Sequence, residues 1–211
     1  MQSEAVGSNW GLLVQWVMIN TFGIMVGLPI VGLIFVLLTG TLDFSNAVAA
    51  LFVAITGILL GVFQWLVLRS QIERSHWWIL STSIGLAVGV AVIIGAIHWV
   101  SDRQLPETGK SLLVGTIFGI MLGIAQWLVL RQHLRHSILW ILGSMVGCAL
   151  GLMWGLDALA RSTATVDSEF GVAAIFAGLL FRLMLTYSAI TGILLLWLLQ
   201  DRSKKSRMEA A

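Results

Sequence analysis

Charge is scarce in this chain. Only 10% of its 211 residues are Asp, Glu, Lys or Arg, against roughly 25% in an ordinary soluble domain. Cys148 is the only cysteine, which excludes an internal disulfide and a CxxC metal pair. In an apolar stretch it reads as a small buried hydrophobe. Catalytic signatures are missing as well. There is no H-E-x-x-H, no G-x-S-x-G, no P-loop and no G-x-G-x-x-G in a dinucleotide-binding setting. Met153 stands where the Gly-x-Gly-Asp pattern of intramembrane aspartyl proteases needs its first glycine before Gly155-Leu156-Asp157. Met145 follows Ser144 where a rhomboid-type motif needs glycine. No span carries two acidic residues to relay protons. These absences argue against an enzyme and imply no cofactor. The net charge of +2 gives no reason to expect a nucleic-acid partner. The N-terminus, Met-Gln-Ser-Glu-Ala-Val, lacks the basic n-region and cleavage site of a secretory signal, so the first apolar stretch is expected to be a retained span.

What remains is overwhelmingly apolar. Hydrophobic residues make up 58% of the chain and the mean hydropathy is +0.96, so lipid is the expected solvent. A hydrocarbon core of about 30 Å takes roughly 20 residues of helix. Stretches of that size lie near 12–38, 47–69, 76–100, 111–131, 137–160 and 171–199. Helices are expected because backbone polar groups in hydrocarbon must be satisfied within the segment. Pro29 inside the first stretch predicts a kink. The expected fold is an all-α polytopic membrane bundle forming one integral membrane domain over 1–211, with a basic cytoplasmic tail over 200–211.

The distribution of basic residues sets the expected orientation. Arg69, Arg74, Arg131, Arg135, Arg202, Lys204, Lys205 and Arg207 fall on one side, and Arg103, Lys110 and Arg161 on the other. The richer side should be cytoplasmic, with both termini inside. Eight of the ten tryptophans, among them Trp16, Trp65, Trp78, Trp127 and Trp140, fall near the inner ends of spans. Indole favours the headgroup level, so Trp65, Trp127, Trp78 and Trp140, with Arg69 and Arg131, are expected to anchor the bundle to anionic headgroups at the cytoplasmic face.

A repeat of 62 residues runs through the chain. Trp16, Gly23 and Gly27 recur as Trp78, Gly85 and Gly89 and as Trp140, Gly147 and Gly151. Residues 57–89 align without gaps on 119–151 with 17 of 33 identities. A third copy is split between the chain ends, where Ala189–Leu195 repeats Ala54–Leu60. There the Gln-Trp-Leu-Val-Leu-Arg ending is replaced by Leu199-Gln200-Asp201-Arg202. The simplest accounting is three parallel two-helix hairpins, over about 12–69, 76–131 and 137–199, related by a pseudo-threefold axis along the membrane normal.

Within the repeats, glycines four apart share one helix face: Gly57 with Gly61, Gly85 with Gly89, Gly119 with Gly123, and Gly147 with Gly151. Small residues so placed let helix backbones approach closely in lipid. Gln64 and Gln126 lie about 7 Å deeper than Arg69 and Arg131. Each should hydrogen-bond its counterpart in the next repeat, or else bind a solute. Arg182 stands within the last span, where a lone arginine is a functional-site hypothesis with a partner to be named. Asp157 is the first candidate, with Glu169 and Asp167 as alternatives. His133 and His136 are spaced to share a metal, but no Cys or carboxylate completes the set. His76, His133 and His136 read as ordinary interfacial histidines. His98, near the outer end of the third span, could ligate a pigment or haem, but lone histidines usually do not, and no metal is expected.

The Gly-x-x-x-Gly-x-x-Gln-Trp-Leu-Val-Leu-Arg run at 57–69 and 119–131, followed nine residues later by Trp78 and Trp140, resembles a family of small bacterial membrane proteins of unknown function. The family is common in photosynthetic bacteria and built of such repeats. The resemblance covers both central hairpins and implies a helical bundle in the plasma (inner) or thylakoid membrane. It carries no catalytic residues over. The function expected on all these grounds is non-enzymatic: an accessory, assembly or scaffold subunit docking on a membrane-protein partner or a second copy of itself. The rival is a small-solute channel or transporter lined by Gln64, Gln126 and Arg182. A scaffold should bury these polar groups as satisfied pairs, whereas a channel should line a wet path with them.

Overall fold

The computed structural model describes residues 2–39, 46–72, 75–102, 104–162 and 169–209. They form six helices: α1 (Gln2–Thr39), α2 (Asn46–Leu68), α3 (Trp77–Ser101), α4 (Glu107–Leu130), α5 (Leu139–Ser162) and α6 (Glu169–Glu209). No strand occurs among the described residues. Helices α2 to α5 have 23 to 25 residues, or about 35–38 Å at 1.5 Å per residue, which matches a bilayer with little overhang. Five of the helices are long and apolar enough over their described residues to cross a membrane. The sixth, α2, contributes a shorter described apolar segment, Phe52–Leu68. Pro29 lies inside the continuous α1. Residues 200–209, within the stretch expected as a basic tail, continue α6 as helix to Glu209. The side chains of Lys204, Lys205, Arg207, His98, Trp99 and Glu169, together with Arg74, Arg103 and Asp167, lie outside the described residues.

Each helix packs on its neighbours in sequence, and α1 also packs on α6, so the six close into a ring. Glycines set the spacing. A β-carbon on Gly57 would stand 2.7 Å from Ser83 Cα, and one on Gly61 2.8 Å from Ile79 Cα, so α2 and α3 touch backbone to backbone. Gly119 and Gly123 bring α4 equally close to Met145 and Ile141 of α5, and Gly147 and Gly151 bring α5 onto Tyr187 and Leu183 of α6. Gly85 and Gly89 receive Leu122, Ala125 and Phe118 of α4. The expected glycine faces are therefore all spent on contacts inside the bundle. The outer surface carries large apolar side chains such as Val14, Phe22, Leu80, Leu142 and Ile193. That arrangement suits a hydrocarbon solvent, in which exposed apolar surface costs nothing.

The basic end of the ring is closed by two loops of matching build. Ile72 and Leu134, 62 residues apart, tuck under the helix ends and join a buried cluster with Leu68, Leu130, Leu195 and Leu198. Their amides bond back to Leu68 and Leu130 carbonyls. The next helices start from buried Ser75 and Ser137, whose carbonyls accept from the Trp78 and Trp140 amides at 2.9 Å in both loops.

Candidate functional site: a polar core beneath three tryptophans

Trp16 of α1, Trp78 of α3 and Trp140 of α5 meet at the centre of the ring. Their centroids lie 5.6 to 6.2 Å apart, with every pair edge-on at 73–78°. This is the favoured geometry for aromatic quadrupoles. All three are 0% exposed. The expectation that Trp78 and Trp140 anchor the bundle at the headgroups is thus overturned. Each lies on the inward face of its helix, and its indole N–H finds a buried acceptor rather than the interface. Trp65 and Trp127 are only partly buried. The Arg69 guanidinium stands 5.6 Å from the Trp65 ring, and that of Arg131 5.1 Å from the Trp127 ring, so each pair forms a cation–π stack at the rim.

Below the triad lies a layer of neutral polar groups. Trp78 Nε1 donates to Gln64 Oε1 at 2.7 Å, and Trp140 Nε1 to Gln126 Oε1 at 2.9 Å. An indole N–H can only donate, so it fixes the rotation of each amide, oxygen toward tryptophan. The amide nitrogens then point across the bundle. Gln64 Nε2 donates to Asn20 Oδ1 at 2.6 Å, and Gln126 Nε2 to Gln64 Oε1 and Thr82 Oγ1 at 3.3 and 3.2 Å. Tyr187 Oη donates to Gln126 Oε1 at 3.0 Å, and Thr82 Oγ1 to Gln64 Oε1 at 3.2 Å. The expected pairing of the two glutamines is present, and both are 0% exposed.

Trp16 has no glutamine. Its Nε1 donates to Thr191 Oγ1 at 3.1 Å, while Thr191 Oγ1 itself donates to Tyr187 O one turn back. By sequence Thr191 matches Thr56, which makes the same local bond to Phe52 O. By role it stands where Gln64 and Gln126 stand, eight residues on in the alignment. The acceptor for the third tryptophan is therefore not in the Leu199–Arg202 stretch. One layer deeper, Thr21 Oγ1 and Ser188 Oγ lie 3.4 Å apart. Side chains of all six helices join this set.

Asn20, Thr82 and Ser144 were not singled out from the sequence, yet they share the 62-residue interval and each follows a triad tryptophan by four. Extending the repeat by one turn would have found them. Asn20 and Thr82 serve the glutamines as above. Ser144 Oγ lies beside Tyr187 but meets no hydrogen-bond geometry, and is the one buried side-chain polar atom among the described residues that does not. Tyr187, the chain's only tyrosine, gave no periodic signal.

Arg182 lies apart from this core and does not pair with Asp157. Asp157 forms an ion pair with Arg161, one turn along its own helix. A local i, i+4 partner wins over one on another helix. Arg182 Nη1 donates to Gly178 O at 3.0 Å, and its guanidinium stands 5.7 Å from the Trp154 ring. At the basic end, His136 Nδ1 and Asp201 Oδ2 lie 3.2 Å apart, tying a loop to α6. Even so, no group of three His, Cys, Asp or Glu that could hold a metal occurs among the described residues.

Chemically, the core is a set of neutral donors and acceptors, with no carboxylate, imidazole or basic side chain in its bonding scheme among the described residues. It can hold helices in register. No protein-family model, curated protein or solved structure matches this chain.

Proposed function

We propose that this protein is a non-enzymatic integral membrane scaffold, an accessory or assembly subunit that presents a rigid, non-conducting bundle to a partner in the bilayer. The observation that carries the reading is the fully buried, mutually bonded layer of Gln64 and Gln126 beneath the Trp16–Trp78–Trp140 triad. A channel needs those amides to face water along a continuous path. Here they face one another, the Trp78 and Trp140 indoles, and the side chains of Asn20, Thr82 and Tyr187. Burying satisfied amides makes a bundle specific in register, which suits a part that docks.

The repeat gives the bundle its proposed symmetry. In place of the hairpins α1–α2, α3–α4 and α5–α6, we read α2–α3, α4–α5 and α6–α1 as three equivalent pairs around a pseudo-threefold axis, each contributing one tryptophan from its second helix and one acceptor from its first. Gln64, Gln126 and Thr191 are the acceptors, and Leu68, Leu130 and Leu195 follow each by four residues into one cluster. On this reading the third unit joins the two ends of the chain and closes the ring. The Arg-Trp rim lies at the cytoplasmic face of the plasma or thylakoid membrane, where its cations meet anionic headgroups. The test pairs flux with assembly. Gln64→Leu combined with Gln126→Leu should weaken folding or complex formation while leaving the solute permeability of reconstituted liposomes unchanged. A loss of wild-type flux with assembly intact would overturn the reading in favour of a solute channel.

A further inference from the structure

We propose that the crevice between α1, α5 and α6 binds one anionic phospholipid of the leaflet opposite the basic rim, its phosphate on Arg182 and its acyl chain along Trp154, Phe181 and Met25. The crevice has a volume of about 420 Å3 and is lined by Met25, Trp154, Ala177, Gly178, Phe181 and Arg182. That volume admits the glycerol-proximal part of a lipid rather than a whole one. Among the described residues, Arg182 is the only charged group on its wall. The small Ala177 and Gly178 leave the opening, and Trp154 and Phe181 are 44% and 37% exposed beside it. The crevice therefore opens on the lipid side of the ring rather than on its axis.

Depth matches a headgroup. Leu195 shares a buried cluster with Leu68 and Leu130, which precede Arg69 and Arg131. Arg182 is thirteen residues from Leu195, about 20 Å along α6. Its guanidinium reaches a further turn, to Gly178 O, or about 26 Å from the rim. A hydrocarbon core is about 30 Å thick, so the cation sits just inside the far headgroups. It snorkels outward along its own helix.

Charge complementarity selects the occupant. A guanidinium has five donors, and one is met by Gly178 O while the ring of Trp154 covers a face. Among the described residues no carboxylate lies within ion-pair distance of it, and the nearby Asp157 is held by Arg161. Glu169 starts the same helix thirteen residues away, about 20 Å along it and beyond side-chain reach. A cation at the edge of the hydrocarbon, without a protein counter-ion among the described residues, attracts an anionic headgroup. A phosphate supplied by the surrounding leaflet answers both the charge and the remaining donors. The inference holds whether the bundle is a scaffold or a transporter.

Native mass spectrometry of the purified protein with added phosphatidylglycerol or phosphatidylcholine tests it. The wild type should retain one phosphatidylglycerol with a preference of at least about fivefold, the worth of one cation–anion contact near a membrane surface. Arg182→Gln should abolish the preference, and Ala177→Trp, which fills the crevice, should lower retention of both lipids. Arg69→Gln with Arg131→Gln should leave that single bound lipid in place. If Arg182→Gln fails to fold, wild-type protein photolabelled with an acyl-chain probe gives the answer. An anionic probe should mark the Trp154 and Phe181 peptides in preference to a zwitterionic one. Equal labelling, labelling elsewhere, a preference that survives Arg182→Gln, or displacement of the lipid by millimolar inorganic phosphate would overturn the proposal. The last outcome would point to a soluble anion instead.

Discussion

Replacing Gln126 with leucine probes the polar core most sharply, because one side chain there serves four partners. Its Oε1 accepts from Trp140 Nε1 at 2.9 Å and Tyr187 Oη at 3.0 Å, and its Nε2 donates to Gln64 and Thr82. Leucine has similar volume, so packing changes little. The loss is polar: the Trp140 and Tyr187 donors are left in a dry interior. An orphaned buried donor costs about 1–3 kcal/mol in soluble proteins, and interhelical bonds in bilayers are measured nearer 0.6 with a maximum near 1.7. Trp140 cannot turn to another acceptor without breaking the triad, whereas the Tyr187 hydroxyl can rotate toward Ser144. We therefore expect about 1–3 kcal/mol of destabilisation, weighted toward the tryptophan. Gln64→Leu should cost a similar amount. The double variant should cost less than the sum by about 0.5–1 kcal/mol, the coupling expected of residues in one network. Unfolding in mixed micelles, followed by gel mobility and helicity, measures all four states. A loss below about 0.5 kcal/mol for Gln126→Leu would mean that the core is hydrated or rearranged, and would refute the reasoning.

Three further outcomes follow from the same geometry. Trp78→Ala should destabilise by about 3–5 kcal/mol through the cavity it leaves, while Trp78→Phe, which keeps most of the volume, should cost about 1 kcal/mol for the lost N–H bond; equilibrium unfolding separates them, and equal losses would contradict a packed triad. Gly61→Val should cost at least about 1–3 kcal/mol, because its side chain meets the Ile79 backbone, whereas Gly11→Ala and Gly32→Ala, with nothing within 4 Å, should be neutral or slightly stabilising in thermal aggregation assays. An impermeant maleimide should leave buried Cys148 unmodified in the folded protein. In a Cys148→Ser background it should reach Gln104→Cys from outside intact cells, but Gln132→Cys only after permeabilisation. The reverse pattern would invert the proposed topology.

Much of this arrangement is legible in the chain, and its gaps have physical causes. Helix number follows from the count of apolar runs, since in lipid a helix satisfies its backbone within one segment, whereas α1 begins ten residues before its apolar stretch and α6 ends ten residues after its own. The pairing of Gln64 with Gln126 follows from the shared interval and the need of a buried amide for partners. The position of the tryptophans does not. Near the end of a span, indole is equally at home in the headgroups or beneath them. The side it takes depends on which helix face turns inward, and when every face is apolar, hydrophobicity cannot say. The repeat held the missing clue in Asn20, Thr82 and Ser144, a polar residue one turn beyond each tryptophan. Thr191 was hidden differently, because its sequence match points to Thr56 while its partner is Trp16. Arg182 shows the opposite failure: the charges on the chain suggested Asp157, but Arg161 one turn away captured that carboxylate first.

Native mass spectrometry of the protein extracted from its own membranes in mild detergent tests the scaffold reading most directly. The account predicts a stoichiometric complex larger than one chain, with a distinct membrane protein in it, and no solute conductance from the purified bundle. A lone chain that carries solute across liposomes, with flux abolished by Gln64→Leu and Gln126→Leu, would contradict it.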